Sequence, residues 1–382
     1  MSPAPRARAR TLRAPVGERV TRKSFAMLLR EPRRLEPREL PIPDVGKDRA
    51  LLRVETCGIC GSDVEQFEGQ LRTPNEVIPG HEPLGVIEAI GDAAARRWGV
   101  DVGDRVAVEN MISCRFCAQC LAGRSHLCAK RRIYSYIPVS VEHGLWGAYS
   151  QYLVLDEGSI VHKVDRTLPA ALAALFNPLG AGYRWAVEIP QTKPGDVVAV
   201  LGPGQRGLAC VLAAREAGAA KILVTGLAAD RGKLALAREY GADLTIDVEN
   251  ENARERILNA TGGRGADVVV DVSPYATAPV RDALDFCAPG GTVVLAGVKG
   301  FRPIENFVSD KIVMKELSVR GAIGVTSSAY RSAIRLIESR RVALDKMHTH
   351  DFALRDAETA IRTLARELPG RDAIHCSLFP EH

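Results

Sequence analysis

The chain has 382 residues, of which 46% are apolar and 25% charged. That length suits two domains of about 100–200 residues each, and that balance excludes a disordered or collagen-like chain. The net charge of +5 is misleading: residues 1–23 carry seven basic side chains, Arg6 to Lys23, against the single acid Glu18, which leaves the rest at −1. A near-neutral body gives no case for a nucleic-acid surface, and the lack of any apolar run of about 18 residues gives none for a membrane span.

Residues 1–23 are rich in Arg, Ala and Pro without apolar periodicity, and read as a disordered basic tail. Their Arg content and shortage of acids also fit a transit peptide, although serine is scarce. No secretory apolar segment follows, so the expected location is cytoplasmic. Phe25–Leu29, Ala50–Val54 and Gly85–Ile90 read as short strands between turn residues. The strand-and-loop texture continues to about residue 165. After residue 194 it changes: apolar runs at Val197–Leu201, Ile222–Thr225, Val268–Val272 and Val293–Ala296 alternate with helical patterns at Leu208–Ala217 and Arg231–Tyr240. Such alternation predicts a parallel α/β sheet. The chain ends on another apolar run, Ile374–Phe379.

There are nine cysteines. An odd number without a secretory signal argues against a disulfide framework. Cys114, Cys117, Cys120 and Cys128 stand at C-x2-C-x2-C-x7-C. Four thiolates from one tight loop close a tetrahedron around a structural zinc. An iron–sulfur cluster also takes four thiolates, but the seven-residue gap and the following Ala129 depart from the short gap and proline of that pattern. Unrelated buried cysteines are the plain alternative.

A second set lies in TCGICGSD, Thr56–Asp63, and IPGHEPLG, Ile78–Gly85. Cys60, His81 and Glu82 offer one soft and two harder ligands, which suits a catalytic zinc that keeps a fourth position open. Taken singly, each residue is as easily explained by the core.

VVAVLGPGQRG, Val197–Gly207, places Gly202, Gly204 and Gly207 in G-x-G-x-x-G between an apolar strand and a helical pattern. That context predicts a dinucleotide loop, with the pyrophosphate on the helix N-terminus. The acid that would bind the adenosine ribose 2′-OH falls on Gly226, and the next charges are Asp230 and Arg231. A missing carboxylate and a nearby guanidinium favour NADP(H) over NAD(H). Arg231 also reads as a simple helix-surface charge, which leaves NAD(H) open.

From about Phe25 to the C-terminus these segments resemble the zinc-dependent medium-chain dehydrogenases, the alcohol, polyol and threonine dehydrogenase group. The resemblance implies a GroES-like, mainly β catalytic domain (24–177 with 321–382) and a Rossmann doubly wound domain (178–320). It implies two zincs per chain. Cys60 and His81 would hold the catalytic one, with Glu82 as a third or alternating ligand. Cys114, Cys117, Cys120 and Cys128 would hold the structural one. Ser62 would pass the substrate proton and Asp63 would orient His81, while Cys57 matches no ligand. Two positions depart from the pattern. Asn177 stands where relatives carry a further Cys or acidic zinc-site residue, and Glu65 stands where many carry a relay histidine.

The implied reaction is hydride transfer between a nicotinamide cofactor and a secondary alcohol, polyol or ketone, and relatives form homodimers or homotetramers. The alternatives are a zinc-independent NADPH quinone or enone reductase of the same superfamily and a non-catalytic NADPH-binding protein. Leu145, Trp146 and Tyr149 fit either a pocket lining or the core.

Overall fold

The computed structural model describes residues 22–73, 76–370 and 372–382. Most of the basic tail therefore lies outside the described residues. The tail was expected to end at residue 23, but the first strand, Lys23–Glu31, already begins there. The guanidinium of Arg22 is tied to Glu88 and Tyr152.

Two sheets carry the fold. The first is mainly antiparallel, in the order His348–Ala353, His375–Phe379, Ala50–Ile59, Pro83–Ile90, Arg105–Val108, Val161–Lys163. Its centre is the strand Ala50–Ile59, which forks. Residues 50–53 pair with Tyr152–Leu155, while residues 57–59 pair with the last strand of the chain. The second sheet is wholly parallel, in the order Leu244–Asp247, Lys221–Gly226, Val197–Leu201, Ala266–Asp271, Cys287–Leu295, Ser318–Gly321. That is strand order 3-2-1-4-5-6, the doubly wound arrangement whose ligands bind at the carboxyl ends of the strands. Val197–Leu201 is buried throughout because helices cover both faces, which explains its uninterrupted apolar sequence.

The borders expected at 177/178 and 321 do not fall in linkers. The apolar segment Phe176–Gly182 forms one buried helix, Phe176–Tyr183, straight across the first border. After Gly321 the helix Ser327–Ser339 packs against that same helix. One core joins Leu84 and Ala107 of the first sheet to Val198 and Val200 of the second through Phe176, Leu179, Tyr330 and Ala333. Each fully buried aliphatic side chain contributes about 1.5–3 kcal/mol, so the two sheets are held as a common body. The change of sequence texture marks where the sheet type changes, whereas the helices on either side serve both. No helix among the described residues is long and apolar enough to cross a membrane.

Candidate active site and metal centres

Two groups of metal-ligating side chains assemble among the described residues. The first is the four-cysteine lobe. The sulfurs of Cys117 and Cys120 lie 3.5 Å apart, those of Cys128 and Cys114 3.5 Å, and those of Cys114 and Cys120 4.0 Å. A tetrahedral zinc with sulfurs at about 2.3 Å needs them about 3.8 Å apart, so the quartet fits that ion. None of the nine cysteines forms a disulfide. The amide of Cys120 lowers the Cys117 thiol to about 6, while burial raises Cys120 to about 11. Four thiolates crowd too closely to coexist without a counter-cation, and a dication resolves that conflict. The lobe surrounds itself with little core: Phe116 and Leu121 are 84% and 76% exposed.

The second centre forms where the forked strand ends. Cys60 follows Ile59 and precedes the helix Gly61–Phe67, whose first turn carries Ser62 and Asp63. The Asp63 carboxylate accepts the Cys60 amide at 2.9 Å, which fixes this turn. His81 and Glu82 arrive just before the neighbouring strand Pro83–Ile90. Cys60 Sγ lies 2.8 Å from Ser62 Oγ and 3.2 Å from His81 Nε2, and Ser62 Oγ lies 3.3 Å from His81 Nε2. One ligand atom from each of Cys60, His81 and Glu82 falls within 4.8 Å of the others, and all three residues are buried. His81 Nδ1 sits 3.2 Å from Asp63 Oδ1. That contact leaves Nε2 facing Cys60, the arrangement that orients a zinc histidine. Burial pushes His81 down, but Asp63 and Cys60 outweigh it and hold the imidazole well above its ordinary value. Glu82 is raised by burial against the opposing pull of Arg206, and its Oε2 has no hydrogen-bond partner. A buried soft anion, an imidazole and an unsatisfied carboxylate oxygen make a donor set that fits zinc.

Three residues at this centre escaped the sequence reading. Arg206, inside the glycine-rich loop, reaches Glu82 Oε1 and Asn177 Oδ1, each at 3.2 Å. Asn177 in turn donates to Tyr330 Oη at 3.1 Å. His375, from the last strand, is buried with Nε2 unpartnered. A cation in the first turn of a helix opposes the helix dipole. That oddity at position 206 is the one signal that could have drawn attention. The Glu65 carboxyl is raised by burial and by Glu68, against the opposing hydrogen bond with Tyr275. Leu145, Trp146 and Tyr149 are fully buried core residues. Cys57 is fully buried too, and burial pushes its thiol well up.

The dinucleotide loop sits where strand Val197–Leu201 meets helix Gln205–Glu216, with Gly204 as the N-cap. Gly202 has φ +107°, a conformation side chains rarely adopt. At Gly207 a Cβ would stand 1.8 Å from the Gly202 carbonyl oxygen, so the first turn can close only around a glycine. Gln205 donates to the Ile59 carbonyl at 3.0 Å, tying the loop to the residue before Cys60. Gly226 ends the second strand, and a side chain there would meet the Pro203 ring 2.8 Å from its Cβ. The loop's own proline therefore explains why no acid stands at that position. Arg231 is exposed at the head of the next helix. Glu249, from the adjoining strand end, accepts the Ala228 amide at 2.7 Å.

Comparison with known proteins places this geometry. Residues 46–166 match the alcohol dehydrogenase GroES-like domain, and residues 207–339 match the zinc-binding dehydrogenase domain. A probable alcohol dehydrogenase of Mycobacterium tuberculosis is 47% identical over 360 residues, 93% of this chain and 98% of its own. An erythritol/L-threitol dehydrogenase of Mycolicibacterium smegmatis is 32% identical, covering 96% of this chain and 100% of its own. A zinc-binding dehydrogenase fold from Sinorhizobium meliloti, solved with NADP, superposes with a TM-score of 0.82 at 28% identity, over 94% of this chain and 100% of that one. The chain belongs to the zinc-dependent medium-chain dehydrogenases: it is a zinc-binding, nicotinamide-dependent oxidoreductase acting on alcohols and their carbonyl counterparts.

Proposed function

We propose that the reaction takes place at Cys60, Ser62, His81 and Glu82, on a secondary alcohol, a polyol or the corresponding ketone. The observation that carries this reading is the meeting of Cys60 Sγ, His81 Nε2 and Ser62 Oγ within 3.3 Å, with Glu82 beside them. Cys60, His81 and Glu82 would hold a catalytic zinc, and Cys114, Cys117, Cys120 and Cys128 a structural one, two per chain. Zinc supplies Lewis-acid polarisation of the substrate oxygen. Asp63 keeps His81 Nδ1 occupied so that Nε2 faces the ion. Ser62 Oγ, within hydrogen-bond reach of that centre, takes the substrate hydroxyl proton and passes it outward. Gly202, Gly204 and Gly207 bind the pyrophosphate through the helix N-terminus.

NADP(H) is the favoured cofactor, supported by Gly226, which carries no carboxylate, and by the exposed Arg231. Glu249 at the same strand ends is the feature that favours NAD(H) instead. In the division of labour, 24–177 and 321–382 carry the metals and 178–320 the nucleotide. A homodimer or homotetramer is supported by the strand Ser318–Gly321, which among the described residues is an edge of its sheet and is exposed at all four residues, since an unpaired edge invites pairing.

Elemental analysis of wild type and Cys60→Ala tests the reading. Two zincs per chain falling to one supports it. One zinc in both proteins sinks it, and enones and quinones then become the substrates to try.

A further inference from the structure

Arg206 belongs to the dinucleotide loop by sequence but to the metal centre by contact. Its position in the first turn of helix Gln205–Glu216 sets its charge against the helix dipole. Its side chain is only 22% exposed. The guanidinium lies over the Trp185 ring, 5.2 Å from the centroid, and one nitrogen holds both Glu82 Oε1 and Asn177 Oδ1. Tyr330 anchors the other end of the Asn177 amide. One oxygen of Glu82, Oε1, and the Asn177 Oδ1 are thus held by a single cation, while Glu82 Oε2 stays without a hydrogen-bond partner, and that cation is delivered by the loop that receives the nucleotide.

We propose that Arg206 is a positioning residue that couples nucleotide binding to zinc binding at the second centre. This rests on the reading that Cys60, His81 and Glu82 take zinc. While the loop is empty, Arg206 offsets the charge of Glu82 through Oε1 and adds a positive charge beside the ion, and both effects weaken zinc at the remaining oxygen. A dinucleotide brings two phosphate charges to residues 202–207 and competes with Glu82 for the guanidinium, which restores the full negative charge of the carboxylate to the metal. Because such coupling is reciprocal, zinc must strengthen nucleotide binding by the same factor. Asn177, in place of a further anion, makes the balance sensitive to this one charge.

The test is zinc affinity of the second centre, measured by competition between the full-length holoenzyme and a chromophoric chelator, with and without saturating NADPH. In wild type, NADPH is expected to tighten zinc by about fivefold or more, within the usual span of binding coupling. Arg206→Met is expected to hold zinc more tightly without nucleotide and to lose the NADPH dependence. Arg206→Lys, which keeps the charge but not the forked reach, is expected to retain only part of it. Retention of the lobe zinc reports that each variant is folded. A wild-type zinc affinity indifferent to NADPH, or an Arg206→Met protein that keeps the full response, overturns the proposal. Zinc content unchanged by Cys60→Ala overturns the underlying metal assignment instead, and the proposal falls with it.

Discussion

The two candidate metal centres are built in opposite ways. The four-cysteine lobe draws every ligand from fifteen consecutive residues, lies largely at the surface, and takes no ligand from the rest of the fold. The second centre draws Cys60 from a strand end and His81 and Glu82 from the start of its neighbour. It then surrounds them with Asn177, Arg206, Tyr330 and His375 from four further elements. A local site has its geometry written in spacing alone. A long-range site has its ligands written in sequence but its electrostatics written in topology.

The sharpest way to break this contrast is a pair of substitutions. Cys60→Ala should lower kcat/KM by about 10³-fold or more, because Lewis-acid polarisation is worth several kcal/mol, while the melting temperature barely moves. Cys117→Ser should do the reverse at first, removing the lobe zinc and lowering the melting temperature while the second zinc stays. Metal analysis, steady-state rates and calorimetry on the two proteins decide it, and equal losses of activity and stability in both would erase the distinction. Ser62→Ala should lower kcat by about 10²–10⁴-fold, the scale of one positioned proton carrier, with both zincs retained. Asp63→Asn should weaken the second zinc by about 10–100-fold, the usual cost of losing a histidine's outer partner, and leave the lobe zinc untouched in chelator titrations. The smallest effect belongs to the nucleotide end: Arg231→Ala should raise the Kd for NADPH by about tenfold, one charge-assisted contact, and leave NADH unchanged in fluorescence titrations.

What could be read in advance follows the same division. The parallel sheet was legible because buried strands such as Val197–Leu201 and Val268–Val270 are continuous apolar runs between helical patterns. The lobe was legible because spacing is geometry. Cys60, His81 and Glu82 were legible as ligand types beside glycines, and family resemblance supplied Ser62 and Asp63. Arg206 was not, because inside G-x-G-x-x-G it counts as an unspecified position, and only the packing of loop against strand end brings it to Glu82. The shared helix Phe176–Tyr183 was missed for a related reason: an apolar helix between two sheets carries no mark of which one it serves.

The fork in strand Ala50–Ile59 has a consequence for how the protein is made. Its last residues, next to Cys60, pair with Cys376–Leu378, far along the chain. The lobe has all four cysteines by Cys128, and among the described residues the parallel sheet has all its strands by Gly321. The strand that presents Cys60 gains this neighbour only once residues 376–378 have been made, because such distant pairing waits for the intervening chain. The sheet support of the second centre is therefore completed late in synthesis, and a substitution within Cys376–Leu378 reaches the strand that carries Cys60.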